Sequence, residues 1–513
     1  MDEGGFLLPK KLPIFYSALL LTGVNLLLRF LGTSFQVYLS GRIGAEGIGL
    51  LQLTMSLGGM AMVAGMGGIR TATMYLTAEE LGRGRARNTT WVLSACFLYS
   101  ILLSGTVALV LHRFAPWVAE NWIGNLRTTD ALRLFASFLP VMCLCGVMTG
   151  YFTAAQRIGT LAAVEVAEQC CSMGLTMILL TFWAGHDPVR SCLAVILGSN
   201  LGGCLTLLCL VILRLKEKSS ASAPIPVQSR LLHIALPLAL ADNLKAGINT
   251  VENLMVPKRL ALNTLTDNPL ASFGLVSGMV FPVIMFPAAI LFGLTELLIP
   301  EMARCNAAGL QKRIQYLAEK SLKAALLYGI TFAGLLYILS DPLCLSLYKS
   351  LDAAKYLRWY GLLVPMLYCD AISDAMTKGL GKQHICVRYN IMTSFLDVVF
   401  LYILLPRYGM EGYFFSFFLT HLLNFILSIQ LLLKTVKLTV PMYIPLFSLS
   451  ALALAIIGAS SVSNTPGMVL SYLMIVGCLL YLFGVVRRED ISWILGIIWK
   501  PQIPKSASNQ SLT

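Results

Sequence analysis

The sequence predicts an all-α integral membrane protein of about fourteen spanning helices: two six-helix bundles related by a parallel repeat, plus two C-terminal helices. Three observations predict it. Hydrophobic residues make up 57% of the 513 and charged residues 12%, against roughly 25% charge in soluble proteins. Apolar runs near the length of about 20 residues that crosses a bilayer recur along the whole chain. The joints between them are short and polar, as in Gly82-Arg83-Gly84-Arg85, His186-Asp187-Pro188 and Asp341-Pro342. Too few charges remain to clothe a soluble surface. A soluble enzyme, a disordered chain, a coiled coil and a secreted disulfide scaffold are excluded.

Taken in order, the runs lie near 14–38, 47–75, 89–112, 132–154, 160–184, 190–213, 231–256, 270–300, 322–340, 357–377, 388–406, 412–433, 441–460 and 467–486. Residues 1–13 place Lys10 and Lys11 ahead of an apolar run too long for a signal-peptide core, so that run is expected to stay as the first span. Residues 1–215 are expected to form the first bundle, 216–230 a Ser- and Pro-containing cytoplasmic linker, and 231–436 the second bundle. Residues 437–488 add two helices, and 489–513 are expected to form a cytoplasmic tail that is short, polar and disordered after Pro501.

Lys and Arg set the orientation. With the N-terminus inside, the inner segments hold 24 of the 38, the outer loops 11, and Arg29, Arg70 and Lys245 remain within spans. Both termini are therefore expected to be cytoplasmic, and the excess charge of +13 serves topology rather than nucleic acid. A weak repeat at an offset of 225 residues aligns Ile48-Gly49-Leu50 with Phe273-Gly274-Leu275, Leu132-Arg133 with Leu357-Arg358, and Pro140 with Pro365. Six spans separate the equivalents, which gives the halves the same topology about an axis along the membrane normal.

A charge at the bilayer centre costs at least about 2.5–3.5 kcal/mol, so charged residues within spans need partners or water. Span 1 carries Thr22, Asn25, Arg29, Thr33 and Gln36 at steps of three and four, one helical face. Span 7 carries Asp242, Lys245, Asn249 and Glu252 in the same way. These are the first spans of the two halves, and both stripes are expected to face a shared hydrated cavity. Asp242 and Lys245 also suit a local ion pair, and Glu252 suits a solvated position near the outer end. Asp370, Asp374 and Lys378 share a face of span 10 and suit a self-neutralising stripe. Glu165, Glu168, Glu296, Glu301 and Asp397 are further carboxylates able to bind a coupling cation. Arg70 follows a glycine cluster, Gly58-Gly59, Gly65 and Gly67-Gly68, of the kind that lets helices approach closely.

No GxxxxGK[ST] loop, HExxH or GxSxG occurs, and the five His are scattered. The thirteen Cys form no CxxC pair and read as small packing residues. Neither a metal nor an organic cofactor is expected, nor enzymatic activity. A membrane glycosyltransferase would need a larger extracytoplasmic loop than any of about 20 residues seen here.

Arg29-Phe30-Leu31-Gly32, followed by the run from Gly44-Ala45-Glu46-Gly47 to Leu53, resembles the N-terminal signature of the stage V sporulation protein B group. Ala78-Glu79-Glu80 before the basic loop, and Ile299-Pro300-Glu301 with Arg304, resemble the same group. It belongs to the multidrug/oligosaccharidyl-lipid/polysaccharide exporter superfamily, which also holds lipid II flippases. One departure is Gly68-Ile69-Arg70, where the group carries Gly-Ile-Pro.

The resemblance implies flipping or export of a polyprenyl-pyrophosphate-linked saccharide for cell-wall or spore-cortex synthesis in a bacterial cytoplasmic membrane. Arg29, with Arg70 and Lys245, would hold the anionic headgroup, helped by Asn25, Gln36 and Asn249, while the halves rock around it. Asp242, Glu252, Asp370 and Asp374 are the candidates for coupling to H+, Na+ or the membrane potential. A cation-coupled multidrug exporter of the same superfamily is the alternative, and a non-transporting envelope scaffold the second. The protein is expected to work as a monomer with membrane lipids around it.

Overall fold

The computed structural model describes residues 14–83, 85–185, 187–216, 227–263, 267–438, 441, 443–462 and 464–486. Most of the expected linker, Gly84, His186 and the expected tail lie outside the described residues. The helices are α1 (Ile14–Met66), α2 (Ile69–Gly82), α3 (Thr89–Val118), α4 (Thr129–Ala154), α5 (Ile158–Leu179), α6 (Pro188–Leu215), α7 (Gln228–Leu260), α8 (Pro269–Leu275), α9 (Phe281–Ala307) and α10 (Gln311–Ile338). They continue as α11 (Ser340–Tyr348), α12 (Leu351–Gly361), α13 (Val364–Gly379), α14 (Gln383–Val436), α15 (Tyr443–Ser460) and α16 (Thr465–Leu482). A π-helical turn at 276–280 joins α8 to α9.

Among the described residues eleven helices are long and apolar enough to cross a membrane. Two of them are double: α1 turns at Gly44 (φ 72°) and α14 at Gly409 (φ 59°), left-handed angles that glycine adopts without strain. The tenth span is the pair α12 and α13, broken at Leu362-Leu363. Counted so, each of the fourteen expected spans has a helical counterpart. Asp341-Pro342 lies at a joint, as expected: α10 ends at Ile338 and a short helix, α11, opens at Ser340, where a proline in the first turn gives up no hydrogen bond and Asp341 pairs with Arg358 of α12. Asp187 does act as a boundary, accepting from the Val189 N–H at 3.0 Å with Pro188 at the first helical position.

The repeat is clearer in the backbone than in the side chains. Left-handed residues recur 225 positions apart, at Gly124 and Lys349 and again at Gln156 and Gly381. Gly185 (φ 60°, ψ −127°) and Gly409 (φ 59°, ψ −137°) adopt almost the same unusual conformation. Lys349 and Gln156 hold an angle that costs a non-glycine residue about 1–2 kcal/mol, so the turn is kept where the residue type is not.

Helices α3 to α6 pack mainly among themselves, as do α9, α10, α13 and α14. Where the halves meet, α1 runs along α7, α8 and α9, and α2 along α7. At the end that the Lys and Arg bias assigns to the outside, Gly49 and Gly274 face each other. A Cβ on Gly274 would stand 2.5 Å from the Gly49 nitrogen, and one on Gly49 would collide with the Leu270 carbonyl. Equivalent residues of the two halves thus touch, as the same patch does across a two-fold interface, and the pseudo-two-fold axis passes between them. The added pair α15 and α16 packs on α10. Tyr472 fills the notch at Gly334 and donates to the Ile330 carbonyl at 2.8 Å.

Candidate functional site

Arg29 reaches from α1 across the seam between the halves. Its guanidinium lies over the Phe292 ring of α9, 5.4 Å from the centroid, and the next residue, Phe30, meets Phe286 at 6.3 Å. Further along, Gln36 Nε2 donates to the Gly278 carbonyl at 2.9 Å, in the π turn where the regular ladder is interrupted and a carbonyl is free to accept. Asn25 is half-buried on the same helix. The polar face of span 1 therefore looks at the second half of the molecule.

The other expected cations stand apart. Chain direction breaks at Gly67 and Gly68 (φ 47° and 70°), because Gly68 presses on the Ala235 carbonyl of α7, 2.7 Å from where a Cβ would sit. Arg70 follows on α2, exposed, where its charge acts on Glu165 of α5. Nearby, Glu168 accepts from Thr206 at 2.7 Å. On α7, Asp242, Lys245 and Asn249 are all exposed. Asp242 and Lys245 do not form the expected pair among the described residues, and neither Arg29 nor Lys245 has a carboxylate partner there. No contact joins the three cations; each sits on a different helix of the seam.

The carboxylates gather more closely. Glu252 of α7 is half-buried, not solvated at a helix end, because α7 continues two turns beyond it. The charge of Asp397 on α14 acts on it. Asp397 is buried, 4% exposed, and accepts from Ser416 Oγ at 2.5 Å and Thr420 Oγ1 at 3.2 Å. From there a buried polar stripe, Ser416, Thr420, Asn424 and Ser428, descends α14 at steps of four. Asn424 Nδ2 donates to Asp370 Oδ2 at 2.9 Å, whereas Asp370 Oδ1 is buried without a hydrogen-bond partner among the described residues. Asp374 pairs with Lys378 at 2.9 Å, the expected i,i+4 neutralisation. The stripe was missed in the sequence, although its spacing was readable there; the pairing of Asp397 with Glu252 left no local signal.

At the opposite end of the seam from Gly49 and Gly274, Arg230 of α7 ion-pairs with Glu79 and, at 3.4 Å, with Glu80 of α2. Glu80 is buried and also accepts from Asn88 Nδ2 at 2.9 Å. A cavity of about 750 Å³ opens beside this clamp, lined by Tyr75, Glu79, Arg230, His233 and Pro237. Helix α7 belongs to both halves: Val227, Leu231 and Ala235 are buried with α2 and α4, and Leu254, Val256 and Leu260 with a cluster built mainly from the second half. Pro237 lies between these stretches, where a missing backbone N–H weakens the helix.

Residues 255–403 match the MatE family model, and residues 81–267 the model described as polysaccharide biosynthesis protein. The structure superposes on one titled lipid II flippase MurJ, inward closed conformation, with a TM-score of 0.68 at 16% identity, covering 92% of this chain and 100% of that one. It also matches an inward-facing multidrug resistance MATE family transporter of the MOP superfamily, TM-score 0.66 at 12% identity, covering 82% and 100%. The chain has the fold of the MATE and MurJ transporters. In sequence it is similar to stage V sporulation protein B of Bacillus subtilis, 22% identical over 410 residues that cover 77% of this chain and 78% of the relative. The likeness expected from Arg29-Phe30-Leu31-Gly32 and the Gly44 run is met. The chain is a multi-pass membrane protein similar to transporters and flippases.

Proposed function

We propose that this protein flips or exports a polyprenyl-pyrophosphate-linked saccharide, a precursor of cell wall or spore cortex, by alternating access in a bacterial cytoplasmic membrane. The observation that carries the reading is Arg29: a guanidinium on the seam, over an aromatic ring of the other half, with no carboxylate partner among the described residues. Such a charge needs water or an anionic ligand, and a guanidinium offers a phosphate two parallel donors. Arg70 and Lys245 add positive charge along the same seam, and Asn25, Gln36 and Asn249 supply neutral hydrogen bonds. The similarity to stage V sporulation protein B and to a lipid II flippase supports an anionic lipid-linked cargo over a cationic drug. The MatE match favours the drug exporter as second reading, with Glu252 and Asp397 as the attracting charge.

Coupling runs through the second half. Glu252 and Asp397 hold H+ or Na+; the α14 stripe leads from that pair towards the cytoplasmic end and meets Asp370 of α13 at Asn424, with Asp374 one turn further along α13; Asp242, exposed on α7, faces the incoming ion. The chain acts as a monomer with both termini cytoplasmic. It is a transporter rather than an enzyme and takes no nucleic-acid partner.

The test is Arg29→Ala and Arg29→Glu in reconstituted vesicles. A charge-assisted contact is worth about 1.5–3 kcal/mol, so translocation of a lipid-pyrophosphate sugar is expected to fall roughly ten- to hundredfold with protein level unchanged. Wild-type rates in both variants would remove Arg29 from the mechanism and favour a scaffold role.

A further inference from the structure

A second groove, of about 590 Å³, lies along the other end of α7, between it, the tip that follows α3, and α14. Its floor is apolar: Val251 and Leu254 of α7, Leu262 just beyond, and Met60 of α1. Val251 and Leu262 remain more than half exposed, at 52% and 59%. The rim is cationic. Lys258 donates across the seam to the Asn121 carbonyl. The Arg259 guanidinium lies over the Tyr402 ring, 3.2 Å from its centroid, and its Nε has no hydrogen-bond partner among the described residues. Neither cation is paired there with a carboxylate. Trp122 stands at the same level, edge-on to Trp117 at 5.8 Å.

This is charge at one end of a greasy trough. From Gly247 to Arg259 the helix rises about 18 Å at 1.5 Å per residue, close to the depth of one leaflet. Tryptophan and tyrosine beside two basic residues mark headgroup level. A water-soluble anion would leave the floor uncovered, and a zwitterionic lipid would cancel much of the attraction at the rim.

We propose that this groove holds an anionic phospholipid of the surrounding bilayer, its phosphate between Lys258 and Arg259 and one acyl chain along Val251 and Leu254. The walls come from both halves, Met60 and Trp122 from the first, α7 and Tyr402 from the second. Rocking therefore changes the site, and by linkage the bound lipid biases the rocking. The inference is independent of the cargo carried.

The full-length protein is to be assayed in detergent by native mass spectrometry and thermal unfolding, with phosphatidylglycerol or phosphatidylcholine added. Phosphatidylglycerol is expected to stay bound and to raise the unfolding temperature, phosphatidylcholine not. With each surface cation contributing about 1 kcal/mol, Lys258→Gln/Arg259→Gln is expected to weaken that binding roughly thirtyfold. The charge-matched control Arg42→Gln/Lys349→Gln is expected to leave it unchanged. Val251→Asp keeps both cations, puts a like charge in the floor, and is expected to release the lipid too. Retention in the double variant or in Val251→Asp, or equal response to the two lipids, overturns the proposal. So does an equal shift with glycerol phosphate, which would mean a phosphate site, or displacement by substoichiometric polyprenyl phosphate, which would mean a cargo site.

Discussion

Glu252 of α7 and Asp397 of α14 lie close enough for their charges to act on one another, and two neighbouring carboxylates attract a cation. Asp397 is the fixed member, since Ser416 and Thr420 already donate to it; Glu252 is half-buried and comes from the helix that both halves share. Asp397→Asn keeps the shape and the hydroxyl partners but removes the charge. Gradient-driven transport in vesicles is expected to lose its response to both an imposed pH difference and an imposed Na+ difference. In Glu252→Gln the response is expected to weaken without vanishing. Unaltered acceleration in Asp397→Asn would exclude the pair as the coupling site. Helical spacing put Glu252 on a polar face but reports only neighbours within a few turns. Its partner lies far along the chain, so the contact was not legible, and the end of α7 was placed too early.

Helix α7 and the paired glycines hold the two halves together along the seam, so the proposed rocking is tested there. Gly274 presses its backbone on Gly49, so Gly274→Leu is expected to hold that end of the seam apart. Spin labels at 42 and 267 are then expected to move apart. At the other end Arg230→Ala removes the ion pairs that tie α7 to Glu79 and Glu80 of α2, so labels at 78 and 232 are expected to separate while those at 42 and 267 stay put. Coincident opening at both ends in either variant would contradict independent closures. The glycines were legible because the repeat aligned them by position; that they touch was not, since an offset gives equivalence and not proximity. The joint at Asp341-Pro342 was legible, because aspartate followed by proline suits both a stop and the first turn of a new helix; the short helix it opens, and the pairing with Arg358, were not.

The molecule as a whole is two similar bundles meeting along α1, α2, α7, α8 and α9, with unpaired cations on the seam and a carboxylate cluster to one side. Composition and run length sufficed for the membrane architecture, and the offset of 225 residues for the symmetry later seen in the turns at Lys349 and Gly381. The proposed division of labour, cations for cargo and carboxylates for the driving ion, depends on which charges lack partners in three dimensions. Its most direct test is transport by the wild-type protein in proteoliposomes, with a polyprenyl-pyrophosphate sugar and a cationic dye offered separately. The account predicts that the lipid-linked sugar crosses and the dye does not. Rapid dye export with no movement of the sugar would contradict it.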